Sequence, residues 1–273
     1  MDKLPAILYK YRSIKPTTER LLTLGEIWCS RPSEFNDPFE CRPVLSFDHS
    51  DPKTKAWLDN QMARRGLRNP GKRIGLRAQF KRRFSQPVAA KDIGIAKMLN
   101  ENGIYSLTAD SQSILMWAHY ADAHRGVCIG FDTSKWPFFS AWAVRYSVDY
   151  PVINRATDSD LDSLKSSVLT KAKSWEYEQE WRVLIRTLNA RERQYHEAKL
   201  DSDSQLILKQ RGPGAYLIPK DGVKSVIFGL RMGENEKIKI REWIKIGGCS
   251  PQLFQARQHE SKFSVEIDPL GTA

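Results

Sequence analysis

The spacing of apolar and polar positions changes along the chain and divides it into four regions. Residues 4–47 contain short apolar runs broken by prolines, which predicts short strands and turns. Residues 51–102 have helical spacing, with an interruption at 69–71. Residues 104–188 and the last third alternate between strands and helices. Because this alternation lacks a regular strand–helix–strand order, it favours a mainly antiparallel α+β fold over a doubly wound parallel sheet.

The second half of the chain predicts individual elements. Strands are expected over residues 104–108, 126–131, 143–150, 181–188 and 223–228, with a C-terminal hairpin of 252–258 and 263–267. Helices are expected over residues 111–123, 158–173 and 234–246. We therefore predict a single domain spanning residues 1–273, with residues 51–102 as a helical insertion within it.

The composition is that of a globular protein with an excess of positive charge. The 273 residues include 43 Lys and Arg against 32 Asp and Glu, and 41% are hydrophobic, which excludes a disordered chain. No apolar run approaches the roughly 18 residues that span a membrane, and no signal peptide begins the chain. The four scattered cysteines form no CxxC pair, which argues against zinc. A cytoplasmic protein without a membrane or metal partner is expected.

The positive charge is concentrated in one segment, which we call the basic window. Residues 60–91 contain ten bases and no acid, and so carry ten of the eleven net charges. Its candidate nucleic-acid contacts are Arg64, Arg65, Arg68, Lys72, Arg73, Arg77, Lys81, Arg82 and Arg83. Ile74, Leu76, Phe80 and Phe84 have roughly helical spacing, which predicts one buried face with the arginines outward. The window predicts nucleic-acid binding, RNA in preference to DNA, and a solvated helix face is the alternative.

Common catalytic motifs are absent from the sequence. There is no GxxxxGK[ST], no GxGxxG after a strand, no HExxH and no GxSxG. Kinases, dinucleotide dehydrogenases, zinc proteases and serine hydrolases of the usual types are therefore excluded.

Four polar and aromatic stretches remain as candidate sites. Tyr9–Arg12 ends the first strand, where an arginine can pair with phosphate beside an aromatic ring, or form a structural salt bridge. Trp28–Glu40 contains Ser30 and an Asn36–Asp37–Pro38 turn, which is either functional or only a rigid turn.

The other two candidate stretches lie later in the chain. The third stretch is Met116–Gly126. On the predicted helix 111–123, Trp117 and Tyr120 have core spacing, and His119 is the free polar residue. Glu176, Glu178 and Glu180 alternate, so they would share one face of an extended strand. Three like charges on one face need compensation, which a cleft with developing positive charge would supply. Solvated edge carboxylates are the alternative.

Taken in order, these stretches resemble bacterial domain-of-unknown-function family 2971. The matching blocks are Leu8–Arg12, Trp28–Glu40, Met116–Phe131, Trp175–Arg182 and Val223–Gly229. The resemblance spans nearly the whole chain, but the family name carries no activity.

A second resemblance, to the ADP-ribosyltransferase superfamily, implies an activity. Its pattern is an Arg or His closing the first strand, a Ser or Tyr motif in the middle, and a late Glu-x-Glu strand. That superfamily holds NAD between two small, mostly antiparallel sheets of a split α+β fold. Here the resemblance implies Glu180 as the catalytic carboxylate, Glu178 as its accessory, and Ser106–Leu107–Thr108 in place of a Ser-Thr-Ser triplet. It further implies NAD contacts by Arg12, Tyr9, Tyr11, Ser30, Asn36, His119 and Tyr120.

The expected function is thus that of an NAD-dependent ADP-ribosyltransferase, a toxin or phage-defence enzyme that modifies nucleic acid, with an antitoxin as a further partner. Breaking the bond between nicotinamide and ribose develops positive charge, which an ionised carboxylate stabilises. Two alternatives stay open. One is a non-catalytic nucleic-acid-binding module. The other is a metal-dependent nuclease with Glu176, Glu178, Glu180 and Asp37 as ligands.

Overall fold

The structure is a computed structural model that describes residues 3–85, 88–89, 93–154, 156–199 and 201–272. Two compact units divide these residues. The first unit contains the residues up to Glu34, Glu101–Val144 and the residues from Ser174 onward. The second unit contains Phe35–Asn100 and Arg145–Lys173. The expected insertion over residues 51–102 lies mostly in the second unit, and the expectation of one domain stays a prediction.

Strands and helices occur in both units. The strands are β1 Ile7–Arg12, β2 Glu26–Cys29, β3 Val44–Leu45, β4 Val88–Ala89, β5 Gly103–Thr108, β6 Val127–Asp132, β7 Trp142–Ala143, β8 Arg145–Ser147, β9 Val152–Ile153, β10 Thr170–Ala172, β11 Glu180–Ile185, β12 Gly214–Leu217, β13 Val223–Phe228, β14 Gln252–Gln258 and β15 Val265–Thr272. The α-helices are α1 Pro16–Leu24, α2 Pro52–Arg64, α3 Pro70–Arg83, α4 Ile93–Asn100, α5 Ile114–Tyr120, α6 Asp160–Val168, α7 Ala190–Lys199, α8 Ser202–Leu208 and α9 Glu234–Gly247. Short 3-10 helices cover Pro32–Glu34, Phe138–Ser140, Lys173–Glu178 and Lys220–Gly222.

An eight-stranded sheet organises the first unit. Its strand order is β15-β14-β13-β6-β1-β5-β11-β7, and every neighbouring pair is antiparallel except β13 with β14. The mixed α+β class and the mainly antiparallel pairing are therefore confirmed. The expected division into two small sheets differs from what is observed, because β13–β15 continue the sheet beyond β6. The first unit also contains the two-stranded pair of β12 with β2.

Apolar side chains cover both faces of this sheet. One face packs against α1 and α9, and its core includes Leu8, Leu21 and Ile240. The other face packs against α5, and its core includes Tyr11 and Trp117. Because side chains alternate along a strand, Leu8 of β1 enters the first core and Tyr11 enters the second. Burial of both faces explains why this sheet has continuous apolar stretches such as β6.

The second unit contains α2, α3, α4 and α6 and two small sheets. Side chains cap two of these helices: Asp51 accepts a hydrogen bond at the start of α2, and Asn69, in the expected interruption at 69–71, does so at the start of α3. The expectation for the basic window is partly wrong, because Ile74 is 65% exposed. The stripe of α3 that faces inward is narrow, and Phe80 and Phe84 contact Phe47 on it.

Candidate functional site

A cleft of about 930 Å³ lies in the first unit, where β1 ends. It is lined by Lys15 just after β1, by His119 and Tyr120 at the end of α5, and by Arg231 and Lys239 near the start of α9. Its volume lies within the range of small-molecule and cofactor sites. His119 and Tyr120 are two of the residues that the sequence singled out.

The cleft has an excess of positive charge. Lys15, Arg231 and Lys239 form no ion pair with any described residue. Arg125 is paired with Asp122, whose pKa its hydrogen bonds lower. The first turn of α9 has no side-chain cap, so backbone N–H groups are available there. Cations and free N–H groups together favour an anionic ligand.

A strained turn forms one wall of this cleft. Asp122, Ala123 and His124 follow α5 with φ values of 49°, 49° and 68°, which is the left-handed region that L side chains rarely adopt. A Cβ on Gly126 would collide with the carbonyl oxygen of Arg12, so glycine is required there. Strain of this kind concentrates at functional sites. The turn places Asp122 and Arg125 on the cleft.

Inside the turn, His124 is held neutral. Its ring stacks on Trp117, and its Nδ1 is buried without a hydrogen-bond partner in the described part of the chain. Burial and the nearby Arg231 guanidinium lower the pKa of His124. This histidine therefore adds no charge to the cleft at neutral pH.

Two side-chain contacts join α5 to the 3-10 helix Lys173–Glu178. The Tyr120 hydroxyl donates to Oε1 of Glu178 over 2.7 Å, and Nδ1 of His119 lies 3.2 Å from the Tyr177 hydroxyl. Glu178 is buried. Its carboxylate is thus linked to the cleft through Tyr120.

Glu180 is the first residue of β11 and belongs to a buried ion pair. Its Oε1 accepts from Nε of Arg182 over 2.7 Å and its Oε2 from a terminal guanidinium nitrogen over 2.8 Å. The expectation that three glutamates share one face of a strand is wrong. Glu176 and Glu178 lie on the 3-10 helix, and Gln179 has a φ of 44°, which turns the chain before the strand begins.

The register of the sheet separates two groups of predicted residues. Tyr9 is paired with Thr108, which is paired in turn with Glu180, so these three side chains share one face. Tyr11 shares that face and packs edge-on against Trp117 at 5.0 Å between ring centroids. Burial raises the pKa of both tyrosines. Arg12 is three residues beyond Tyr9 and therefore lies on the opposite face.

The remaining predicted NAD contacts lie elsewhere. Arg12 donates from Nε to the Thr18 hydroxyl over 3.0 Å and from a terminal nitrogen to that of Thr17 over 2.7 Å. The Ser30 backbone N–H donates to the carbonyl of Ile104. Asn36 lies in the second unit, next to a turn that Asp37 closes by accepting from the N–H of Phe39. Within the first unit, the structure therefore groups Tyr9, Tyr11, His119, Tyr120, Glu178 and Glu180, and it does not group Arg12 and Ser30 with them.

Lys10 is a candidate residue that the sequence analysis missed. Its Nζ donates to the carbonyl of Ser106 over 2.6 Å and lies 4.5 Å from the centroid of the Tyr105 ring. Burial, together with the Arg12 guanidinium, lowers the pKa of Lys10 to about 8. The sequence does carry a signal for this candidate, because Leu8, Lys10 and Arg12 are every second residue of β1. They therefore share one face of the strand, and two cations lie on the same face as a core leucine.

The basic window lies on α2 and α3 of the second unit. Two of its arginines, Arg73 and Arg77, form ion pairs with Asp59 of α2. The other described bases proposed as nucleic-acid contacts are exposed, and they are Arg64, Arg65, Arg68, Lys72, Lys81, Arg82 and Arg83. Lys91 lies outside the described residues. The arginines are thus outward as expected except for the half-buried Arg73, and two of them are also paired with Asp59.

Comparison with known proteins adds one match. A family model described as a protein of unknown function (DUF2971) matches residues 116–183, about a quarter of the chain. This segment holds the strained turn, the Tyr120–Glu178 contact and Glu180. No curated protein and no solved structure matches the chain. The likeness to the ADP-ribosyltransferase superfamily gains no support from these comparisons and stays a proposal.

Two general features bear on the alternatives. The described part of the chain holds no group of three or more His, Cys, Asp or Glu side chains suited to a metal ion. The expected nuclease ligands are thus not brought together among those residues. The described helices are also too short or too polar to cross a membrane.

Proposed function

We propose that the first unit is an NAD-dependent ADP-ribosyltransferase that binds NAD in the cleft at the end of β1. The observation that carries the proposal is the combination of unpaired cations with the Tyr120–Glu178 contact at one cleft. Lys15, Arg231 and the start of α9 suit a pyrophosphate, and Tyr120 offers an aromatic ring. Bound NAD would supply the glycosidic bond between nicotinamide and ribose that the reaction breaks.

Glu178 is the carboxylate best placed to act at this cleft. It is buried, and its hydrogen bond from Tyr120 holds it toward a residue that lines the cleft. A carboxylate in such a site stabilises positive charge more strongly than one in water. Glu180 belongs to the proposal as the second carboxylate, and its pairing with Arg182 fixes the start of β11.

The split sheet of the superfamily has a partial counterpart here. β1 pairs with β6 along six residues but with β5 only through Tyr9 and Thr108. The β1–β5 ladder therefore ends early, on the side where Ser13 and Lys15 continue into the cleft. This feature supports the proposed fold family without identifying it.

The test is label transfer from NAD carrying a radioactive adenylate phosphate to separate pools of RNA, DNA and protein. We expect label in one pool, lost about a hundredfold or more in Glu178→Gln, because a charge-stabilising group is removed. Glu242→Gln, the same change at an exposed position of α9, is the matched control and should keep full activity. Glu180→Gln is a poorer test because it leaves Arg182 buried without its partner.

Binding is measured separately by calorimetry with NAD. Lys239→Gln should weaken NAD affinity about tenfold, whereas Lys245→Gln, near the other end of α9, should not. Absence of NAD binding at millimolar concentration would overturn the proposal.

A non-catalytic binding module is the second candidate function. The observation that favours it is that Glu180 is engaged on both oxygens by Arg182. Such a module would bind nucleic acid without NAD and without label transfer, so the same assays decide between the two.

For nucleic acid we propose the exposed bases of α2 and α3 as the contact surface, with RNA as the first substrate to test. Reversing Lys72, Lys81 and Arg82 to Glu should abolish RNA binding and its salt dependence, because each phosphate contact releases counterions. Arg73 and Arg77 are left intact, since they hold Asp59. Unchanged RNA binding in this triple variant would assign the surface to solubility alone.

A further inference from the structure

The two-stranded ribbon of β2 and β12 in the first unit has an open edge along β12. The two strands are antiparallel. At the end of their ladder the Ile218 N–H donates to the Gly25 carbonyl, so Ile218 is a hydrogen-bonded position. Because such positions alternate along an antiparallel strand, Tyr216 also directs its N–H and C=O toward β2, whereas Ala215 and Leu217 direct theirs away from it.

This edge of β12 is exposed in the part of the chain that the structure describes. Ala215 and Leu217 are exposed, and no hydrogen bond joins their backbone groups to a described residue. Pro213 and Pro219 occupy the next outward positions on either side, and proline has no N–H to donate. An exposed strand edge is a template for one more strand. The open stretch is thus short, with two residues that each offer a donor and an acceptor.

The outer face of the ribbon is apolar beside this edge. Trp28 lies opposite Ala215 and is 51% exposed, and Leu217 is 66% exposed. The inner face, which includes Tyr216, is buried in the core. Tryptophan is enriched among the residues that contribute most to binding at protein interfaces. Trp28 begins the stretch Trp28–Glu40 that the sequence singled out, and the proposed NAD cleft does not use it.

Cations flank the open edge at both ends. Arg211 lies before β12 and Lys220 lies after it. Both are exposed, and neither forms an ion pair with a described residue. Glu26 on β2 and Asp221 beside Lys220 are each already paired with a basic residue. The two ends of the edge therefore attract negative charge.

We propose that β12 is a docking edge for an extended acidic segment of a partner protein, which joins the ribbon as a third strand. Main-chain hydrogen bonds to Ala215 and Leu217 hold the segment, and its alternate apolar side chains contact Trp28. Its acidic residues lie toward both ends, near Arg211 and Lys220. A second copy of this chain is a poor occupant, because a two-fold pair of β12 strands is antiparallel and brings Arg211 of one copy near Lys220 of the other. The proposal is independent of NAD binding, since none of these residues lines the cleft.

The first experiment selects random peptides displayed on phage for binding to the full chain. We expect the selected peptides to alternate apolar and polar residues and to carry acidic residues toward both ends. In calorimetry with synthetic copies of them, Trp28→Ser should weaken binding about tenfold or more. Phe263→Ser, which also removes an exposed ring but lies between β14 and β15, is the matched control and should bind like the parent.

Hydrogen exchange of the backbone tests whether the peptide pairs as a strand. In the protein alone, the amides of Ala215 and Leu217 should exchange faster than that of Tyr216, and bound peptide should protect them. N-methylation of alternate peptide residues gives a second readout that leaves the protein unchanged. One alternate set should abolish binding and the other should retain most of it, because only every second N–H of the peptide faces β12.

The charged ends are tested by a double variant. Arg211→Gln/Lys220→Gln should weaken binding of an acidic peptide about threefold or more and reduce its salt dependence. Arg241→Gln/Lys245→Gln, the same change of charge at exposed positions of α9, is the control and should have no effect.

Three results would overturn the proposal. The first is that no selected peptide protects the amides of Ala215 and Leu217. The second is binding that Trp28→Ser leaves unchanged, or that both N-methylated sets weaken equally. The third is protection of the same amides by self-association of the chain at high protein concentration, which would make a second copy the occupant.

Discussion

Two lysines, one in each unit, show the difference between a buried cation in an ion pair and a part-buried cation that has no ion pair with the described residues. In the second unit, Lys171 lies 3.2 Å from Glu40, and the two side chains are only 5% and 3% exposed. In the first unit, Lys10 has a backbone carbonyl and an aromatic ring as neighbours, and a second cation beside it. The second unit has satisfied its buried charge internally. The first unit has done so for the buried pair of Glu180 with Arg182, but not for Lys10.

The same contrast shows that the number of charged residues in a segment is a weaker guide to ligand binding than their burial. The basic window carries most of the net charge, yet its described bases are exposed or paired with Asp59. Lys10 and Arg12 contribute only two charges, but water screens them less. Placement, and not number, makes them the stronger candidate for ligand binding.

The largest effect is expected at the compensated lysine. Lys171→Met should lower the free energy of unfolding by about 3–5 kcal/mol, because Glu40 would remain buried without its cation. Urea unfolding measures this, with Lys171→Met/Glu40→Gln as the control that removes both charges and recovers part of the loss. A loss below about 1 kcal/mol in the single variant would remove the contrast.

Lys10→Met should have the opposite sign. Without ligand it should raise the free energy of unfolding by roughly 2–3 kcal/mol at pH 7, since a lowered lysine pKa costs stability. The unfolded lysine titrates near its ordinary 10.5 and the folded one near 8. The penalty is therefore complete below pH 8 and disappears as the pH rises toward 10.5. Thermal unfolding of parent and variant between pH 7 and 9.5 checks this, and a variant less stable than the parent at pH 7 would contradict it.

Two tyrosines provide a smaller version of the same contrast. Tyr105→Phe should raise the free energy of unfolding by about 1 kcal/mol, because its buried hydroxyl makes no hydrogen bond of normal geometry in the described chain. Tyr216→Phe should lower it by about as much, since that hydroxyl accepts from the Arg211 N–H and donates to the Gly212 carbonyl. Chemical denaturation of the pair measures both. The same sign in both variants would show that the Tyr105 hydroxyl is not short of a partner.

The smallest effect is expected in the basic window. Arg77→Gln should cost about 0.5 kcal/mol or less, because its pair with Asp59 is exposed to water. The hydrogen bond from Arg77 lowers the pKa of Asp59, so this contribution is present at neutral pH and is lost in acid as Asp59 is protonated. Denaturation at pH 7 and pH 3 measures the difference. A cost comparable to that of Lys171→Met would mean that the window is part of the core.

Much of the fold could be predicted from local signals. The bounds of β13 are those of the strand expected over residues 223–228, and α2 begins at Pro52, next to the expected start of the helical region at residue 51. The conformation of the stretch Glu176–Glu180 could not be predicted from the sequence. Alternation of side chains assumes an extended chain, whereas Gln179 adopts a left-handed conformation that is unusual for glutamine.

The site itself depends on long-range register. Which carboxylates face Lys10 is decided by the pairing of β1 and β11 with β5, and these strands lie far apart in the sequence. The alternation of Lys10 and Arg12 on one face was nevertheless visible. Its meaning required the structure, because only the structure shows that Glu180 is on the opposite face and engaged by Arg182.

The central claim is that Lys10 has no ion pair with any described residue, so burial lowers its pKa, and an NMR titration of the Lys10 side chain tests it most directly. The ε-carbon and ζ-nitrogen resonances, assigned by comparison with Lys10→Arg, report the protonation of this one amine. The account predicts a midpoint near pH 8. A midpoint at the ordinary lysine value of 10.5 would contradict it.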